Sequence, residues 1–105
     1  MQRTRPGEAF RAIADPTRRA ILDRLRAGPA NAGSLAADFR QSRPAISKHL
    51  RVLRKSRLVV DHPVGRERLY MLDPTPLQSV AGWLEGYRMF WQSSLGQLKR
   101  NLEEK

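Results

Sequence analysis

Apolar positions recur at helical spacing along most of the chain, broken by proline, glycine and short polar residues. Residues 7–14 (GEAFRAIA) set Phe10 and Ile13 on one side and predict a short helix. Asp15-Pro16 then starts a second helix, with Asp15 as N-cap and Pro16 at the first helical position. It runs through TRRAILDRLRA, turns Ile21, Leu22 and Leu25 inward, and stops at Gly28-Pro29. A short helix is predicted over 32–39, with Leu35, Ala36 and Phe39 apolar, followed by a tight turn at Arg40-Gln41. Ser42 is a good N-cap for a helix over 43–55, whose first turn tolerates Pro44. There Ile46, Leu50 and Leu53 fall on one face, and Pro44, Ser47, Lys48, Arg51 and Lys55 face the other way.

Beyond Arg57 the period shortens to two. LVVDH and RERLYML read as strands joined by a turn at Pro63-Val64-Gly65, a hairpin with a basic tip. Leu69 and Met71 take one side of the second strand, and Arg68, Tyr70 and Leu72 the other. Asp73-Pro74-Thr75-Pro76 ends it and opens a long helix over 76–102. Leu77, Val80, Leu84, Tyr87, Trp91, Leu95, Leu98 and Leu102 step along it by three and four, and Trp83 and Phe90 widen the stripe. Gly82, Gly86, Met89 and Ser93 occupy the far flank. A helix apolar around most of its circumference is expected to be buried on two sides. One small core can cover only one of them, so a second copy of the chain is expected on the other, with Phe10 joining the contact. Gly82 and Gly86 either admit a close backbone there or mark a weak stretch of helix.

At 105 residues and 40% hydrophobic, the chain is expected to form one domain (1–105), with 8–75 as the globular part and 76–102 as the dimerisation helix. Cysteine is absent and histidine is limited to His49 and His62, which excludes disulfides, thiolate sites and a multi-His metal site within one chain. No apolar run approaches a membrane span, and the basic start MQRTRPG lacks the apolar stretch of a secretory signal, so a cytoplasmic protein is expected. Charge changes the picture more. Lys and Arg number 20 against 10 Asp and Glu, a net +10. From Phe39 to Val60 there are seven basic residues and no acidic one, whereas elsewhere the signs alternate. A solvated face normally mixes signs, so this segment points to phosphate.

Two helices across a tight turn, followed by a hairpin, make a winged helix-turn-helix candidate. The architecture is mostly α with a small β-hairpin, in the order α-α-α-α-β-β-α. Arg43, Pro44, Ser47 and Lys48 occupy the first turns of the basic helix, which enter the major groove, and are the candidate base readers. Arg51, Arg54 and Lys55 are candidate phosphate clamps, with Arg5, Arg40 and Arg57 as further ones and Arg66 and Arg68 on the wing. His49 is read as a core-edge histidine bonded to backbone in preference to a DNA contact, and His62 as a turn residue. Trp83, Tyr87, Phe90 and Trp91 fit core and interface better than a ligand pocket. Asp15 with Arg18 and Arg19 reads as capping plus surface charge, with one of the arginines able to reach phosphate. No catalytic set emerges, because Ser47 and His49, two apart on one helix, face different ways.

ADPTRRAILDRL, SLAADF, SRPAISKHLRVLRKSRLVV, GRERLYMLDPTPL and WLEGYRMFW together strongly resemble the ArsR-type winged-helix transcriptional repressors, nearest the metal-free branch of SdpR-like autorepressors. The resemblance covers about residues 8–102. It implies a homodimer built through the terminal helices, with two recognition helices set on an inverted-repeat operator in double-stranded DNA. It also implies base reading by Arg43, Pro44, Ser47 and Lys48 and a wing contact by Arg66. AILDRLRAG lacks the cysteine-containing metal box of the family's sensors, and the last helix lacks their Asp and His cluster, so no metal or cofactor is expected. Ser56-Arg57-Leu58 stands where Ala-Gly-Leu is usual. Either the helix ends differently here, or Arg57 takes a left-handed conformation whose strain a phosphate contact offsets. The expected function is a sequence-specific repressor of its own operon, associated with the nucleoid, with no small-molecule effector specified by the sequence. Its rivals are a non-sequence-specific nucleoid or RNA-binding protein and a protein-interaction module.

Overall fold

The structure, a computed structural model, describes residues 6–103. Five helices and one hairpin follow in the expected order: α1 Pro6–Ile13, α2 Pro16–Arg26, α3 Ala32–Phe39, α4 Arg43–Lys55, β1 Val59–Val64, β2 Glu67–Leu72 and α5 Leu77–Glu103. The arrangement is a winged helix-turn-helix.

Helices α2, α3 and α4 each begin on a side chain that satisfies an otherwise unpaired amide. Asp15 accepts from the Arg18 amide at 3.0 Å, Asn31 from Ser34 at 2.7 Å and Ser42 from Ala45 at 3.2 Å. The end of α1 is closed from α2. The Arg18 guanidinium donates to the carbonyls of Ala12 and Arg11 at 2.7 and 2.9 Å, and Arg19 to those of Ile13 and Ala14 at 2.7 and 3.3 Å. Both arginines thereby brace the joint between α1 and α2.

Helices α3 and α4 end alike. In each, an arginine takes the left-handed conformation where glycine is the usual choice: Arg40 at φ 54° and Arg57 at φ 64°. The amide after it reaches back six residues' span, Gln41 to the Ala36 carbonyl at 3.1 Å and Leu58 to the Leu53 carbonyl at 3.0 Å. The strain expected at Arg57 is therefore present, and a second instance stands at Arg40.

The hairpin is antiparallel, from Val59 opposite Leu72 to Val64 opposite Glu67, so its turn is Gly65-Arg66. This corrects the turn expected at 63–65 and makes His62 a strand residue opposite Leu69. Pro63 is tolerated within β1 because β1 is an edge: the other side of the sheet is taken by Ala30, which exchanges two backbone bonds with Tyr70 on β2, at 3.1 and 2.8 Å. The same exchange ties the α2–α3 link to the wing.

The core gathers Ile21, Leu22, Leu25, Leu35, Ile46, Leu50, Leu53, Leu58 and Val59, with Phe39, Val52, Tyr70 and Leu72 packed on its rim. Leu77 belongs to that rim and seats α5 on this chain's own core, not at the contact between copies expected of it. Beyond it α5 leaves. None of its side chains is buried, and its main lateral partner is α1, where Trp83 meets Phe10 edge-to-face at 5.6 Å between ring centres. The two-sided burial expected of α5 is thus not achieved within one chain, since the core ends at its first turn. The extents, 65 × 37 × 20 Å, and a radius of gyration of 18.1 Å register the projecting arm. A compact chain of this length has a radius near 13 Å.

Candidate nucleic-acid interface

Helix α4 is anchored by Ile46, Leu50 and Leu53, all essentially excluded from solvent. That burial fixes the rotation of the helix and turns its other face outward. Arg43, Pro44, Ser47, Lys48, Arg51, Arg54 and Lys55 are all exposed, and α4 carries no Asp or Glu. The two left-handed arginines, Arg40 and Arg57, are exposed at either end of it. Arg5 lies outside the described residues.

The wing stands beside the first turns of α4. Between them runs an open cleft of about 380 Å³ whose lining includes Asn31, Arg43, Ser47, Arg66, Arg68 and Tyr70. The structure thus brings Arg43 and Ser47 together with both wing arginines. Gly65, at φ 62°, forms the tight tip and leaves Arg66 exposed next to it. Pro44, Lys48 and Arg51 stand apart from this cleft on the free face of α4.

Arg54 and Arg68 have an additional partner that sequence reasoning missed. Asp61 on β1, only 10% exposed, forms an ion pair with Arg54, Nε to Oδ1 at 3.1 Å, and accepts from Arg68 Nη1 on Oδ2 at 2.5 Å. The signal was present as a lone acid in VVDHPV, but the misplaced turn hid the cross-strand relation to Arg68.

His49 is a core-edge residue, 21% exposed, but it faces a carboxylate and not the backbone carbonyl expected. Its Nδ1 lies 4.0 Å from Asp15 Oδ2. The Asp15 carboxyl is held below its ordinary value, first by the Arg18 amide that it accepts and further by the nearby His49 and Arg18.

The second exposed feature is α5. Trp83, Leu84, Tyr87, Phe90, Trp91, Leu95 and Leu98 all lie open, several at more than half of their full area, along one stripe with Val80 at its base. Trp83, Tyr87 and Trp91 form a ladder with ring centres 5.0 and 6.1 Å apart. A Cβ added at Gly82 or Gly86 would meet nothing of this chain within 4 Å. Among the described residues no group of three His, Asp or Glu side chains gathers as metal ligands, and no helix is long and apolar enough to cross a membrane.

Residues 15–60 match the model of the bacterial regulatory protein family named arsR. The chain is 49% identical over 90 residues to the HTH-type transcriptional regulator Rv2034 of Mycobacterium tuberculosis, across 86% of this chain and 81% of that one. It is 44% identical over 75 residues to the transcriptional repressor SdpR of Bacillus subtilis, across 71% of this chain and 83% of that one. The crystal structure of an ArsR family transcriptional regulator superposes with a TM-score of 0.72 at 37% identity, covering 82% of this chain and 94% of the other.

Proposed function

The chain belongs to the ArsR family of bacterial regulatory proteins, and on that premise we propose that it is a dimeric, sequence-specific DNA-binding repressor of its own operon. The observation that carries this reading is the outward face of α4, basic but for Pro44 and Ser47, with no Asp or Glu on the helix, and held in place by the buried Ile46, Leu50 and Leu53.

Arg43, Pro44, Ser47 and Lys48 read base edges: the two cations suit guanine O6 and N7, the hydroxyl suits several edges, and Pro44 meets a thymine methyl. Arg40, Arg51, Arg54, Lys55 and Arg57 hold phosphates, which fixes register without reading sequence. Arg66, with Arg68 behind it, carries the wing to the backbone. The α5 stripe, with Phe10 from α1, closes on the same stripe of a second copy, where Gly82 and Gly86 let the two backbones approach. A contiguous apolar patch of this extent is what an obligate contact requires. Two-fold pairing sets two α4 helices on an inverted repeat with half-sites about 34 Å apart. The protein acts on the chromosome in the cytoplasm, by occupying a promoter, with neither catalysis nor cofactor.

Selection of bound duplexes from a random-sequence pool tests this. The expected product is an inverted repeat with half-sites one helical turn apart. A pool bound without enrichment overturns the repressor reading in favour of non-sequence-specific packing of nucleic acid.

A further inference from the structure

From Phe39 to Arg66 the chain carries eight Lys and Arg and one acidic residue, Asp61. An acid in a segment meant for phosphate works against attraction, and a carboxylate that is nine-tenths buried has lost most of its hydration. What compensates it is the pair of guanidinium groups. Arg54 comes from the last turn of α4 and Arg68 from β2, while Asp61 sits on β1, so one carboxylate joins all three elements of the reading head. The contacts run from Arg54 Nε to Oδ1 and from Arg68 Nη1 to Oδ2, and the two arginine side chains remain 48% and 58% exposed.

We propose that Asp61 is a positioning residue for DNA binding: it fixes the wing to α4 and holds Arg54 and Arg68 ready for phosphate. The inference rests on the repressor reading. Arginine side chains are rotamer-rich, and ordering them on binding weakens association. A carboxylate fixed from beneath removes much of that freedom beforehand, and it sets the spacing between a helix-borne and a wing-borne cation. Because the pinned groups meet phosphate and not bases, the effect is the same on every sequence.

Electrostatics and positioning predict opposite signs for Asp61→Asn. Removing a negative charge from a DNA-binding face, with nothing else altered, tightens binding and steepens its salt dependence. Loss of positioning weakens it. The experiment follows anisotropy of a labelled duplex selected from a random pool, and of a scrambled duplex, between about 50 and 200 mM salt. It is run at a temperature where circular dichroism finds the variant fully folded, so that a loss of stability alone does not register.

For Asp61→Asn the expected result is binding about tenfold weaker on both duplexes, with their ratio kept and the salt slope no steeper. Arg54→Lys keeps the charge but loses Nε, and is expected to weaken binding in the same way. The double variant should be no weaker than the weaker single one. Tighter binding by Asp61→Asn, or unchanged binding by either single variant, overturns the proposal. If Asp61→Asn does not fold, Arg54→Lys alone decides it. If the pool yields no preferred sequence, it is the repressor reading that fails, and the clamp is judged on the random duplex.

Discussion

Arg40 and Arg57 hold the two least comfortable backbones among the described residues, since a side chain with a Cβ is strained by roughly 1 kcal/mol in the left-handed region. Glycine would remove that strain at either site. Each arginine instead sits exposed at one end of the basic helix, where a cation is useful against phosphate. Arg57→Gly is therefore expected to raise stability by about 1 kcal/mol, seen as a higher melting temperature, while weakening DNA binding several-fold. A variant that is both more stable and fully active would leave the strain without a use. At this scale the sequence was informative in part. The strain at Arg57 is visible in Ser56-Arg57-Leu58, because the helical pattern ends there and a positive φ is the usual stop. Arg40 gave no such warning, since Arg40-Gln41 fits several kinds of turn. Asp61 was illegible for a different reason: its partners depend on strand register and on the approach of α4, neither of which is local.

Among the elements, α4 was the most legible. Ser42 and Pro44 mark its start, and Ile46, Leu50 and Leu53 state its inner face outright, so the outward residues followed by elimination. That division of roles can be measured. Lys48→Ala should relax preference at one base position, at about 1–3 kcal/mol of discrimination, leaving the rest of the site unchanged. Arg51→Ala should weaken all duplexes alike and reduce the salt slope by about one. Equal losses on selected and scrambled duplexes for both variants would remove Lys48 from the reading face. The hairpin was legible in kind but not in register. Pro63-Val64-Gly65 looks like a turn because proline rarely lies within a strand, yet an edge strand loses no ladder bond to it. The sheet has only two strands, so β1 keeps one side open, and the bridge between Ala30 and Tyr70, some forty residues apart, covers the far side of β2.

For the molecule as a whole, the long helix sets the shape, and the proposed assembly rests on it. Its stripe was plain in the sequence, but stepping by three and four cannot say whose core a residue joins. Leu77 goes to this chain and the residues beyond it are left open, a division decided by where the globular part ends. With so much apolar surface outside the core, the isolated chain is expected to be dimeric at micromolar concentration. Leu95→Glu combined with Leu98→Glu should give a monomer by light scattering, with helix content reduced along α5 and DNA affinity lowered far more than by any single phosphate contact. A dimer that survives both charges would place the contact elsewhere.

Both tryptophans of the chain, Trp83 and Trp91, stand on the projecting arm, and none lies in the globular head. The tryptophan emission of the unlabelled protein thus reports on the surroundings of that arm, its contact with Phe10 included, and not on the outward face of α4. If the proposed pairing of arms precedes the operator, titration with a duplex is expected to leave the spectrum unchanged. If the nucleic acid itself brings the arms together, a blue shift is expected.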